Sequence, residues 1–454
     1  MMRRQIFDTG AVVTDSIQYI RARQIIDGTG AMPIADGAVI VRGKMIEAVG
    51  PATALPCPDG AQVIDLGDDT LLPGLIDTHG HLVFRYGARG AGGVTGLFEQ
   101  SAMPGGVQMM WLVRNARAAL LCGVTTMRMV AEGTPDNPID SYAKAGIAAG
   151  VVPGPRIIDG GTGVTPTGGH GGKAIWTDGV DALRARVRKD FNTGATWMKI
   201  LLIDSGPDTT IYSDEELEAI VDEAHRWGMK VTVHCTGRWG SSIIAAARAG
   251  VDNVEHARPL TPEVIAELRK HDVGVSLTPL VYVGFRPDAS TWDYLDNGAT
   301  GPADWIDYGR RQYFEFRAAH PEIETVDRPY LDGEPNRAGR DFFPSNATQQ
   351  GQALAALRAG LKVSVGLDTV YYGAVGNAVE YLIEGGFTPM EGILCATGMA
   401  AQVIGESHRI GSIEPGKLAD FMSLGADPLT RRWAWDTVHF VMKEGVRYDQ
   451  LSWK

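Results

Sequence analysis

Cysteine is scarce in this chain. Its 454 residues hold four, at 57, 122, 235 and 395, with no Cys-x-x-Cys pair. Thiols scattered in this way exclude a disulfide framework and lead us to expect a reduced, cytoplasmic setting. Long apolar runs are missing too. No stretch approaches the roughly 18 unbroken apolar residues of a membrane span, and the opening MMRRQIFDTGAVVTD is interrupted at Asp8 and Gly10 before a signal-peptide core could form. Positive charge is in deficit, 42 Lys and Arg against 54 Asp and Glu, for a formal charge of -12. That balance favours solubility and argues against a nucleic-acid-binding surface or a membrane partner. No Gly-x-Ser-x-Gly segment supports a serine hydrolase. GGTGVTP, residues 160 to 166, comes nearest to a dinucleotide-binding turn, but Pro166 stands where the third glycine belongs.

Two patterns fill the chain. From Ile17 to about Asp65, and again in GKLADFMSL and VHFVMKEGVRYD, short β-type segments are separated by turns. Two strand-rich ends around a long middle predict one small β-sandwich domain built from residues 1–70 and 411–454. The middle, 71–410, repeats eight short apolar strands: LLPGLIDTHGHL, GVTTMRMV, PRIIDGG, WMKILLI, KVTVHC, NVEHA, GVSLTPL and KVSVGLD. Helix-like segments separate most of them. SDEELEAIVDEAHRWG has a Ser213 cap, an acidic first turn and a stop at Gly228; TPEVIAELRKHDVG is a second. Strand and helix alternating in this way predict an α/β fold, a (β/α)8 TIM barrel, with a doubly wound open sheet as the runner-up. Two connections are unusually long, Phe84 to about Val107 and the aromatic-rich insertion 281–345. Loops of that length are lids or binding loops more often than accidents. The aromatics fit a bulky substrate, or equally a subunit contact in a homo-oligomer.

Polar residues stand where these apolar strands end. In a strand, residues i and i+2 share a face, so His79 and His81 of LLPGLIDTHGHL point the same way. A lone histidine more often satisfies a local backbone group; His-x-His closing an apolar strand favours a metal site. Lys199 lies in strand four, His234 ends strand five, His256 ends strand six and Asp368 ends strand eight. Barrel active sites form where the C-terminal ends of the strands converge. Lys199 is costly to bury as a cation, so its neutral amine becomes accessible and can capture carbon dioxide as a carbamate. The bland alternative, a lysine paired with a carboxylate, loses ground once the histidines are counted.

At this point the chain resembles the amidohydrolase superfamily, in its binuclear-metal branch with a carboxylated lysine. PGLIDTHGHL, GVTTMR, WMKI, KVTVHC, AGVDNVEH, GLDT and SIEPGKLADFMSL carry the resemblance, which runs from about Ile17 to Arg447. It implies one divalent metal ion on His79, His81 and Asp368 and a second on His234 and His256, bridged by carboxylated Lys199. Zinc suits the donor set, although manganese, cobalt or iron also could bind. A hydroxide shared by the two metals would attack an amide carbonyl of a small-molecule substrate, with Asp368 serving as base and then as acid. VTPTGGHGGK, residues 164 to 173, resembles the TGGHGD segment of enzymes that cleave Xaa-Pro or Xaa-Arg/Lys dipeptides and of relatives hydrolysing ochratoxin-type amides. It implies that His170 touches substrate, and it departs from that group at Gly172, where aspartate is usual. Tyr282, just past strand seven, is a weaker candidate for substrate contact. Strand alternation turns Cys235 and Glu255 away from the metals. Tyr371 and Tyr372 follow Asp368, with nothing in the sequence to assign them a role. His225 sits in a helix, and His271, His320, His408 and His439 lack a strand-end context. A deaminase or cyclic-amidine hydrolase is the alternative, against which His234-Cys-Thr-Gly237 lacks the usual glutamate. A lactone or phosphoester hydrolase would use nearly the same metal cage. A silent scaffold would have lost ligands, and none is lost.

Overall fold

The computed structural model describes residues 16–83, 104–134, 136–170, 175–282, 346–368, 373–432 and 434–450. Most of the two long connections, with His320, Tyr371, Tyr372 and Gly172, lies outside these residues. The chain-terminal strands are β1 (Ile17–Ile25), β2 (Ile34–Arg42), β3 (Met45–Pro51), β4 (Gln62–Asp65) and β5 (Thr70–Pro73). Parallel strands follow: β6 (Leu75–Gly80), β7 (Val124–Met129), β8 (Arg156–Asp159), β9 (Trp197–Gly206), β10 (Lys230–Thr236), β11 (Asn253–Arg258), β12 (Gly274–Leu277) and β13 (Val363–Val365). The chain returns through β14 (Phe421–Leu424), β15 (Val438–Lys443) and β16 (Val446–Arg447).

The two ends of the chain share one eight-stranded sheet, ordered β16-β15-β14-β5-β1-β2-β3, with β4 added in parallel to β1. Alternation along β1 and β2 buries one set of side chains on each face. Ile20, Val39 and Val41 join Phe421, Phe440 and Met442 in one core, whereas Tyr19, Ala38 and Ile40 form another. The segment LLPGLIDTHGHL, expected as one strand, is two. Pro73 has no N–H to continue a ladder, and Gly74 turns from one sheet to the other, donating its own N–H to Asp420 O at 2.9 Å. A Cβ at Gly74 would lie 2.2 Å from Thr125, so only glycine fits this crossing.

The parallel strands form a three-stranded sheet, β8-β7-β6, and a six-stranded sheet in which residues 209–210 precede β9-β10-β11-β12-β13. Hydrogen bonds link these sheets at both margins. Thr196 N–H donates to Asp159 O at 3.0 Å, and Asp368 N–H donates to His79 O at 2.9 Å. The result is a TIM-barrel-like α/β fold with a separate domain. Helices pack outside: Ser213 accepts the Glu216 N–H in a capping box over Asp214–Arg226, and Thr261 caps Pro262–Lys270. The Ser213 cap and the stop at Gly228 (φ 74°) fall where the sequence places them.

The terminal sheet is fastened to the parallel strands by charge. Arg156, at the start of β8, donates to Asp420 Oδ2 and to Glu444 Oε1, each at 2.6 Å. Lys443 Nζ donates to Gly154 O at 2.6 Å. Because β8 starts at this fastening, its far end, with the strand termini that carry the histidines, is left uncovered by the sheet.

Candidate metal centre

Three of the six predicted ligands converge. Donor atoms of His79, His81 and Asp368 all lie within 4.8 Å of one another. Asp368 Oδ1 is 3.6 Å from His79 Nε2 and 3.3 Å from His81 Nε2. The other three are adjacent without joining that group. The His256 ring lies 4.8 Å from that of His79 and 4.3 Å from that of His234, and His256 Nδ1 is 3.8 Å from Asp368 Oδ2. His234 Nε2 is 2.9 Å from Thr236 Oγ1. Lys199 Nζ is buried and makes no hydrogen bond to any described residue. His170 stacks on His234 with centroids 4.6 Å apart. Tyr282 ends the short helix Pro279–Tyr282, and its side chain lies outside the described residues. Cys235 is fully buried.

Each imidazole in the cluster is oriented from behind. Glu255 Oε2 is 2.8 Å from His79 Nδ1, and Glu132 Oε1 is 2.7 Å from His81 Nδ1. With Nδ1 engaged by these carboxyl groups, each ring directs Nε2 at the site. Thr278 Oγ1 lies 2.6 Å from His256 Nδ1. Asp77 Oδ1 accepts the N–H groups of His79 and Leu367, fixing β6 against the end of β13. Gly366 packs so closely on His79 that a Cβ there would lie 2.4 Å from that of the histidine.

Glu255 corrects the expectation from strand alternation. It faces inward, behind His79, and not toward the outer helices. The cause is a break in β11. His256 and Ala257 have φ of 64° and 50°, and the β10–β11 ladder shifts register between His234 and Thr236. Leaving the extended conformation lets two successive residues, Glu255 and His256, serve the same site. Asp368 is also left-handed, at φ 45°. Such residues cost of order 1–3 kcal/mol each and cluster at functional sites. Nothing in a single sequence announces the bulge. Glu132 and Arg128 were also missed, although an acid at the end of GVTTMRMVAE was a usable signal.

Glu255 is the hub of a buried polar interior beneath the cluster. It accepts from Arg128 Nη2, Thr232 Oγ1 and Asn253 Nδ2, the last at 3.0 Å. Arg128 also donates to Thr78 O at 2.9 Å and Ser276 Oγ at 3.0 Å, and it lies over the Trp197 ring.

Electrostatics prepare these groups to bind a cation. Burial holds His79 and His234 well below the usual histidine range and pushes His256 down to about 3, so all three are neutral donors. Burial lowers Lys199 to about 8, with the carboxylates of Glu255 and Asp368 opposing it. Burial pushes Asp368 up, but its histidine neighbours, His81 above all through its hydrogen bond, hold the carboxyl well below the usual carboxylate range. His81 differs. Burial lowers its pKa, but hydrogen bonds to Asp368 and Glu132 raise it to about 9. A buried amine without a hydrogen bond, neutral imidazoles and an ionised carboxylate fit a divalent metal. A metal held by His81 would displace this proton, so loading at pH 7 is expected to release at least about one proton per chain. Apparent affinity then climbs with pH by roughly tenfold per unit for the one proton exchanged and flattens above about 9. Metal titration in weakly buffered indicator solution reads this directly; no proton release would show that His81 is not a ligand.

Fold and site together define a TIM-barrel-like α/β protein with a metal-type donor cluster at the ends of its parallel strands. The chain belongs to the amidohydrolase family, whose model matches residues 70–447. It is similar to an ochratoxinase of Aspergillus niger, 24% identical over 460 aligned residues that cover 91% of this chain and 82% of that protein. A crystal structure of a Xaa-Pro dipeptidase with bound methionine superposes with a TM-score of 0.74 at 23% identity, covering 95% of this chain and 100% of that one. The crystal structure of the A. niger ochratoxinase gives 0.72 at 22% identity, covering 95% of each. Among the described residues no helix is long and apolar enough to cross a membrane.

Proposed function

We propose that this protein is a two-metal hydrolase of amide bonds, acting on a dipeptide-like or N-acyl amino acid substrate. In this reading the parallel strands close into a (β/α)8 barrel spanning 71–410, and the terminal sheet is a β-sandwich domain of 1–70 and 411–454. Family membership supports it, as does likeness to proteins described as an ochratoxinase and a Xaa-Pro dipeptidase. The observation that carries it is the Lys199 amine, buried without a hydrogen bond beside neutral histidines and an ionised Asp368.

His79, His81 and Asp368 would hold one ion, and His234 and His256 a second, with zinc the best match to the donors. Divalent cations bound there supply Lewis acidity, which lowers the pKa of water and polarises a carbonyl. Neutral Lys199 attacks carbon dioxide; an N–C bond forms, a proton leaves, and the side chain becomes an anionic oxygen donor. Asp368, ionised at neutral pH, accepts the proton of the attacking water and passes it to the departing amine. His170, whose ring stacks on that of His234, would orient the substrate carbonyl.

A panel of dipeptides, N-acyl amino acids, aryl amides, lactones and phosphotriesters tests the reading. Amide hydrolysis is expected, lost on chelation and restored by zinc. Turnover confined to lactones or phosphotriesters would sink the amide assignment. Full activity after exhaustive chelation would sink the metal one.

A further inference from the structure

The two halves of the proposed metal centre are fastened by different carboxylates. Asp77 ties the end of β6 to the end of β13, the strands that lead to His79, His81 and Asp368. For the strands of Lys199, His234 and His256 the corresponding group is Asp204, beyond the lysine in β9. Asp204 Oδ2 accepts the Trp239 N–H at 2.8 Å and the Gly240 N–H at 2.9 Å. Its Oδ1 accepts the Ser242 N–H at 2.8 Å. These donors open the helix Ser241–Ala249, whose own cap residue, Gly240, has no side chain to offer. Asp204 thus caps that helix from a neighbouring strand, with its negative charge at the positive end of the helix dipole.

The loop held in this way reaches both remaining strands. It leaves β10 just after His234, and its Gly237 N–H donates to Arg258 O at the end of β11, at 3.2 Å. Ile203 pairs with Thr236 in the β9–β10 ladder, which brings Asp204 beside Gly237. A Cβ on Gly237 would lie 2.1 Å from Asp204 Oδ2, 2.2 Å from its Cγ and 2.7 Å from its Cβ. The whole carboxylate arm, not only its tip, would have to leave. The glutamate that a deaminase carries at this position therefore cannot coexist with the clamp. His234 also depends on the loop for its orientation. Glu255 and Glu132 stand behind His79 and His81, whereas His234 Nε2 lies 2.9 Å from Thr236 Oγ1 of its own strand end.

We propose that Asp204 is a positioning residue for the second metal site: by holding residues 239–242 it sets where His234 stands relative to Lys199 and His256. This rests on the two-metal reading above and deepens it, because a carboxylate outside the ligand set then governs one ion and not the other.

The test counts zinc. Zinc-loaded wild type, Asp204→Asn, Asp204→Ala, Gly237→Ala and the double variant Asp204→Ala/Gly237→Ala are dialysed against buffers of decreasing free zinc. Metal per chain is measured at each step, and dipeptide turnover is followed in parallel. Asparagine keeps the shape of the side chain but must turn its NH2 toward one of the N–H donors. Wild type is expected to hold two equivalents. Each single variant should hold one at wild-type affinity and the other roughly 10- to 100-fold more weakly, the usual effect of losing a partner behind a ligand. The double variant should be no worse than Asp204→Ala, since Gly237→Ala acts by evicting the same carboxylate. Equal weakening of both equivalents, unchanged affinity in Asp204→Asn, or additive losses in the double variant would overturn the assignment. Wild type holding a single equivalent would defeat the two-metal reading and this assignment with it. Two equivalents, one of them weakened in the variants, without amide cleavage would defeat only the catalytic reading.

Discussion

Lys199→Ala is expected to lower kcat/KM by at least about 10³-fold, equivalent to roughly 4 kcal/mol of transition-state stabilisation. The lysine is 2% exposed and sits among groups that either bind cations or carry negative charge. Burial holds its amine near 8, low enough to present a nucleophile at neutral pH. Alanine removes the amine whose carbamate is the proposed bridge between the two histidine pairs, so metal content should drop with activity. Short carboxylic acids such as formate or acetate should return part of both, since each supplies a carboxylate of about the right size to the space vacated. Unchanged turnover would eliminate the bridge. Activity lost without rescue, in a protein that keeps its full metal content, would place the lysine outside the ligand set.

Arg128→Met is expected to destabilise the protein by about 3–5 kcal/mol, the usual cost of breaking a fully buried ion pair from one side. Neither Arg128 nor Glu255 has measurable solvent exposure, so the Glu255 carboxylate is left without a countercharge and without water to replace it. Thr78 O and Ser276 Oγ lose a donor in the same step. The effect should extend to the metal centre, because Glu255 is the partner that sets the His79 tautomer; disturbing such a partner costs roughly 10- to 100-fold in metal affinity. Urea unfolding reads the first quantity and metal titration the second. The double variant Arg128→Met/Glu255→Gln separates them. Removing both charges should recover much of the stability while the weak metal binding persists. If the double variant recovers both, Glu255 does not orient His79.

The sequence carried the parallel strands and every proposed ligand because those features are local. Apolar runs of four to seven residues mark strands, and His79, His81, His234, His256 and Asp368 all stand at their ends. Helix caps at Ser213 and Thr261 are equally local, resting on a side chain three residues from the N–H it accepts. What escaped depends on contacts between distant residues. Glu255 reaches His79 across 176 positions, and its inward face follows from two left-handed residues that no period-two pattern anticipates. The split of LLPGLIDTHGHL at Gly74 escaped for a similar reason, since Thr125 and Asp420 make that crossing necessary and neither is nearby in the chain.

The shared terminal sheet also bears on how the molecule is made. Strand β5 pairs antiparallel with β14, so Thr70 through Pro73 meet Leu424 through Phe421. During synthesis the first five strands leave the ribosome more than three hundred residues before that partner exists. Until then the edge of β5 offers unpaired backbone groups and uncovered apolar side chains, both of which invite association with other nascent chains. Folding of this protein in the cell is therefore gated by its last strands, and yield should respond to chaperone supply more sharply than the thermodynamic stability of the finished fold would suggest.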